Sequence, residues 1–263
     1  MSDQTGHFVW YDLHTTNEQE AIDFYTGVTN WSTSSWEEGD QPYTMWMVGE
    51  RSIGGVGKLS DEALADNTPP HWHAFIDTAD IEATSNQAVE LGGEVLMPAT
   101  EIPGSGHYAI LRDPLGAVFS IFKSSDENDP PGDPQAGDFS WHEMITDDYE
   151  AAFSFYSALF GWEQIDLMDM GEGMMYLMYG SGGRSYGGFY NAAPQMPLPA
   201  HFPLPGWLLY INVEDIVRAT EKVKELGGDV LHGPFEVPGG DQISICVDPH
   251  GAGFALHSAG ESA

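Results

Sequence analysis

GHFVWYDLHTTNEQEAIDFYTGVTNW, residues 6–31, returns 131 positions later as GDFSWHEMITDDYEAAFSFYSALFGW, residues 137–162. Trp10, Phe24, Tyr25 and Trp31 recur as Trp141, Phe155, Tyr156 and Trp162. A second set of echoes stands at an offset of 135: Glu90-Leu91-Gly92-Gly93 returns as Glu225-Leu226-Gly227-Gly228, and Asp113-Pro114-Leu115-Gly116 as Asp248-Pro249-His250-Gly251. A period this long, present twice, indicates a duplicated domain rather than a solenoid of short repeats.

Outward from residues 6–31 the pattern is regular. Residues 7–15 are rich in aromatic and branched side chains and read as a strand, and Thr16-Asn17 followed by Glu20 reads as a helix start. Ala21, Phe24, Tyr25 and Val28 share one face of that helix. Three strands are expected next, at 32–37, 43–48 and 52–58, the first two parted by the turn Glu38-Gly39-Asp40. After a polar connector at 60–70 the order repeats, with a strand at 71–77, a helix at 81–91 closed by Gly92-Gly93, and strands at 95–102, 107–112 and 117–123. The second copy follows suit, with a Pro-rich connector at 192–205 that could cover a cleft or serve as a solvated spacer. Four βαβββ modules result, an α+β chain. The expected boundaries are a first domain at 1–123, an acidic Pro-rich linker at 124–137 and a second domain at 138–263.

Composition narrows the partners. Eight Lys and Arg against 41 Asp and Glu give a formal charge of −33, which argues against nucleic acid and anionic membrane. Such an excess is best tolerated where salt screens it, the Debye length falling to about 3 Å at 1 M. A salt-loving source is expected, with a lower melting temperature in dilute buffer than in molar KCl; equal values would remove that expectation. No apolar run approaches the roughly 20 residues that span a bilayer, and MSDQTGHFVW lacks the charged and apolar regions of a signal peptide, so a cytoplasmic location is expected. The single cysteine, Cys246, excludes an internal disulfide and a multi-cysteine metal site, and its place in ISICV reads as a buried thiol.

The four modules, the Phe-Tyr pair in the first helix of each half, the ELGG helix ends and the turns DPLGAVF and DPHGAGF resemble the vicinal oxygen chelate superfamily. That group holds glyoxalases, extradiol dioxygenases, and fosfomycin and bleomycin resistance proteins. With its W-x-[D/E] strand starts and tandem layout, the chain is most similar to the two-domain glyoxalase-like or hydroxylase-like type. The resemblance implies two glyoxalase-like open barrels, each around a cleft that usually holds a divalent metal. Tandem fusion implies a monomer whose halves form an internal pseudo-dimer. Fold alone fixes no reaction.

Carried onto this chain, the family's ligand positions fall on Trp10, His73 and Ser120 in the first half and on Trp141, Leu208 and Ala255 in the second. One histidine among six falls short of the roughly three protein ligands that a catalytic metal needs. A shifted site is the alternative. Strand alternation puts Trp10, Asp12 and His14 on one face, and His71 and His73 on one face of another strand. Asp12 and His73 are the candidate catalytic residues, as an acid-base pair or as ligands of a divalent metal. Trp10, His14, His71, Tyr108, Trp141 and Glu143 are the candidate ligand-binding residues. The same carboxylates also read as structural, bonded to barrel backbone or to indoles, with His71 beside Pro69-Pro70 at the surface. Leu208 replaces His73 in the second half, leaving Glu143 without an imidazole partner, so only the first half looks equipped for chemistry. Three functions stay open: a glyoxalase/dioxygenase-like protein (lyase or oxidoreductase, if catalytic) acting on a small oxygenated or aromatic metabolite, a resistance-type protein that sequesters such a molecule, and a metal-dependent lyase or dioxygenase.

Overall fold

The computed structural model describes residues 5–37, 42–126, 132–171, 173–193 and 196–260. The expected turn Glu38-Gly39-Asp40, residues 127–131 of the linker and residues 194–195 of the connector lie outside them. The first half runs β1 (Phe8–Thr15), α1 (Glu18–Val28), β2 (Ser32–Trp36), β3 (Tyr43–Val48), β4 (Arg51–Lys58), α2 (Asp61–Ala65), β5 (His71–Asp77), α3 (Ile81–Glu90), β6 (Glu94–Ile102), β7 (Gly106–Arg112) and β8 (Val118–Ser124). The second runs β9 (Phe139–Thr146), α4 (Tyr149–Phe160), β10 (Glu163–Asp169), β11 (Met175–Ser181), β12 (Arg184–Asn191), β13 (Gly206–Asn212), α5 (Ile216–Glu225), β14 (Asp229–Glu236), β15 (Gln242–Val247) and β16 (Gly253–Ser258). The four long helices start alike: Asn17, Asp80, Asp148 and Asp215 each accept a backbone N–H three residues on, which satisfies a donor the helix leaves unpaired. The polar connector at 60–70 is not all loop, because Ser60 caps the short helix α2 in the same way.

Each half is one eight-stranded mixed sheet, in the orders β2-β3-β4-β1-β5-β8-β7-β6 and β10-β11-β12-β9-β13-β16-β15-β14. Among the described residues the edge strands of each sheet do not pair with one another, so each is an open barrel rather than a closed one. The central pair in each, β1 with β5 and β9 with β13, is antiparallel and joins two βαβββ modules. The fold is α+β, with four modules in two sheets.

The repeated motifs interlock the halves. Tyr25 of the first Phe-Tyr pair donates to Asp248 Oδ2 at 3.3 Å, and Tyr156 of the second donates to Asp113 Oδ2 at 3.1 Å. Trp31 Nε1 donates to the Gly137 carbonyl at 2.7 Å, and Trp162 Nε1 to the Gly6 carbonyl at 2.8 Å. The main apolar core is built from both copies and includes Leu13, Phe24, Tyr25, Phe119, Tyr156, Trp162 and Phe254. Cys246 is buried on β15, and burial pushes its thiol up to about 12. Among the described residues no helix is long and apolar enough to cross a membrane.

Candidate functional site

Alternation along β1 separates two jobs. Tyr11 and Leu13 turn into the core, where Tyr11 stacks on Phe139 of the other half at 3.9 Å and its hydroxyl donates to His142 Nε2 at 2.8 Å. Trp10, Asp12 and His14 turn to the opposite face. The antiparallel register sets Trp10 opposite Phe75, Asp12 opposite His73 and His14 opposite His71, so all six side chains share that face. They line one cavity of about 1790 Å³, which Tyr108 also borders and which continues into the groove between the halves.

Asp12 has partners that the sequence did not reveal. Trp10 Nε1 donates to Asp12 Oδ1 at 2.8 Å, and the Tyr43 hydroxyl donates to the same oxygen. Tyr43 reaches it by lying across Gly55, the β4 residue paired with Asp12; a Cβ there would sit 2.0 Å from the Tyr43 oxygen. Burial pushes the Asp12 carboxyl up to about 6, against the pull of those two donors and the Gly55 backbone.

The three histidines are neutral at pH 7 for the same reason. Burial, then the neighbouring imidazoles, holds His73 well below the usual range, and burial and His14 take His71 down to about 4; burial alone lowers His14. The His14 ring lies 5.2 Å from that of His71 and 6.2 Å from that of His73. His71 Nδ1 bonds the Pro69 carbonyl at 2.8 Å, so this nitrogen carries the proton and Nε2 is left as an acceptor. His73 Nε2 bonds Ser120 Oγ at 2.7 Å. Asp12 and His73 therefore face one hollow without bonding each other: the carboxylate is held by an indole and a phenol, the imidazole by a serine.

In the second half Trp141 and Glu143 occupy the places of Trp10 and Asp12, and Leu208 faces Glu143 across the ladder. The carboxylate is not left alone. Tyr176 donates to Oε1 at 2.6 Å, and Tyr190 and Tyr210 donate to Oε2 at 3.0 and 2.7 Å, while Trp141 Nε1 donates to the Tyr176 oxygen at 2.7 Å. Burial raises the Glu143 pKa, and the three hydroxyls oppose the rise. Ile145, Tyr190, Leu208, Tyr210 and Ala255 form a small separate core here, and Met196, Leu198 and Phe202 of the 192–205 connector pack on it. This hollow is filled by the protein's own side chains.

The family's divalent metal does not fit these donors. Its ligand positions hold an indole, an imidazole and a hydroxyl in the first half, and the latter two bond each other. The shifted set fares no better, since among the described residues no three His, Cys, Asp or Glu side chains are grouped to hold a metal ion.

A raised carboxyl makes a testable pH signature. The folded chain holds the Asp12 proton more tightly than the unfolded one, so the stabilisation is fully present below 3.8 and is lost as the pH rises through about 6. Some two pKa units correspond to at most about 3 kcal/mol. Asp12→Asn keeps an acceptor for Trp10 and Tyr43 and carries no charge. It is expected to melt above the parent at pH 8 and level with it at pH 4; the same difference at both pH values would contradict this.

The sequence matches the Glyoxalase/Bleomycin resistance protein/Dioxygenase superfamily over residues 6–121 and 139–256, and the chain belongs to that family. It is 28% identical over 250 residues to "Putative glyoxylase CFP32" of Mycobacterium tuberculosis, covering 94% of this chain and 92% of that protein. It is 26% identical over 263 residues to the anthracycline biosynthesis protein DnrV of Streptomyces peucetius, covering 95% and 92%. In fold it is similar to a triple mutant of 4-hydroxymandelate synthase from Streptomyces coelicolor, with a TM-score of 0.66 at 13% identity over 99% of this chain and 95% of that one. A 2,2',3-trihydroxybiphenyl 1,2-dioxygenase from Sphingomonas wittichii gives 0.67 at 14% identity over 98% and 90%. Likeness at such identities concerns the fold alone.

Proposed function

We propose that the hollow of the first sheet binds and transforms a small oxygenated or aromatic metabolite, with Asp12 as the acid-base group and without the metal usual in the family. The observation that carries this reading is the asymmetry of the duplicate: Asp12 borders a large cavity, whereas Glu143 is enclosed by three tyrosines. A carboxyl raised to about 6 is ionised at neutral pH yet a better proton acceptor than an ordinary aspartate. His73, neutral and fixed on Ser120, orients the ligand across the ladder from it. The names of the relatives, a glyoxylase and an anthracycline biosynthesis protein, agree with small-molecule work. Because the halves already bury their helices against each other, the active form is a single chain of 28.7 kDa.

For a compound that the protein turns over, Asp12→Asn and His73→Ala are each expected to abolish turnover, with activity in the parent rising through pH 6. Undiminished turnover in both variants would end the acid-base assignment. The absence of an Asp12–His73 bond favours a second reading, sequestration without chemistry. In that case Asp12→Asn changes only the dissociation constant, and the parent returns the ligand unaltered after prolonged incubation.

A further inference from the structure

The two halves match register for register, so the filled hollow shows what the open one lacks. Asp12 pairs with Gly55 and His14 with Gly57, as Glu143 pairs with Gly188 and Ile145 with Tyr190; Gly57 therefore stands in the place of Tyr190. Trp10 pairs with Phe75 as Trp141 pairs with Tyr210, so Phe75 stands in the place of Tyr210. Tyr190 and Tyr210 are the two donors to Glu143 Oε2. In the first half Tyr43 keeps the role of Tyr176 and serves Oδ1, while both side-chain donors to the other carboxylate oxygen are gone.

A ring is missing as well as a hydroxyl. Tyr190 stacks on Tyr176 with 5.5 Å between centroids and 24° between planes, and Gly57 supplies no such ring to Tyr43. A Cβ added to Gly57 would meet nothing within 4 Å, so the space is open. The opposite wall has become polar, since His14, His71 and His73 stand where the second half has Ile145, Gly206 and Leu208.

We infer that the first hollow recognises a phenol, its ring lying over Gly57 against Tyr43 where Tyr190 lies in the second half, and its hydroxyl donating to Asp12 Oδ2. This names the ligand class of the site under Proposed function and rests on that reading. The second half, on this view, carries its own ligand as two tyrosines. A further hydroxyl on the ring would be accepted by Nε2 of His71, whose other nitrogen is committed to Pro69.

The test is calorimetric titration of the full chain with 2-naphthol and with 2-methoxynaphthalene, which keeps the ring and lacks the donor. A site built to bond a hydroxyl rejects the analogue that cannot donate. The expected result is binding of 2-naphthol, with the methoxy compound at least tenfold weaker. Gly57→Tyr, which restores the side chain of the second half, is expected to weaken 2-naphthol at least 100-fold with an unchanged far-ultraviolet circular dichroism spectrum. Should that variant misfold, Asp12→Asn is expected to weaken 2-naphthol and leave 2-methoxynaphthalene unchanged. Equal affinity of the two compounds in the parent, or no binding of either, overturns the phenol inference. If that equal binding is still lost in Gly57→Tyr, the hollow survives as the site. If 2-naphthol binding survives both substitutions, the site falls with the inference.

Discussion

Glu143→Leu is expected to lower the unfolding free energy by about 4 kcal/mol, because it leaves the hydroxyls of Tyr176, Tyr190 and Tyr210 buried without an acceptor, at roughly 1–3 kcal/mol for each orphaned group. Leucine fills nearly the same volume, so the loss reports the hydrogen bonds rather than a cavity. Glu143→Gln keeps one oxygen acceptor and is expected to cost about 1 kcal/mol, the worth of an ordinary bond. Urea unfolding at neutral pH separates the two. A loss below 1 kcal/mol for the leucine variant would mean that the tyrosines find other partners, and that this hollow is not the tightly satisfied cluster described above.

The second large effect lies at the junction of the halves. Asp113 is 3% exposed, its Oδ1 accepts the backbone N–H groups of Leu115, Gly116 and Ala117, and its Oδ2 accepts the Tyr156 hydroxyl. Asp113→Ala removes the acceptor oxygens of all four hydrogen bonds at once and is expected to cost about 3 kcal/mol or more, whereas Tyr156→Phe removes one bond and costs about 1 kcal/mol. Asp248→Ala should behave in kind, since Asp248 closes its own turn and holds Tyr25. One core serves both copies, so either substitution should lower a single cooperative transition. Two separate transitions, only one of them shifted, would show that the halves fold independently.

Most of the fold was legible because the marks of duplication are also its fasteners. Trp31 and Trp162, the two Phe-Tyr pairs and the two Asp-Pro turns recur in sequence and meet across the middle of the structure. The face carrying Trp10, Asp12 and His14 followed from strand alternation, and register set His71 and His73 opposite them. The partners of the carboxylates were harder to see. Tyr43 lies 31 residues from Asp12, and only the packing of β3 across a glycine on β4 brings them together. A signal existed in Arg51-Ser52-Ile53-Gly54-Gly55, which returns as Arg184-Ser185-Tyr186-Gly187-Gly188 at an offset of 133 and aligns Tyr43 with Tyr176. Glu143 has no imidazole opposite it, because Leu208 takes the place of His73. Its acceptor sites are met by tyrosines on strands β11, β12 and β13, a match that depends on three-dimensional neighbours and not on spacing.

One copy has an open, ionisable hollow while the other fills its own. A crystal soaked with 2-naphthol distinguishes them. The expected density is a ring over Gly57, its oxygen within hydrogen-bonding distance of Asp12, with Tyr190 and Tyr210 still bonded to Glu143. A ring beside Glu143 with the 192–205 connector displaced, or one seated only in the groove between the halves, would contradict it.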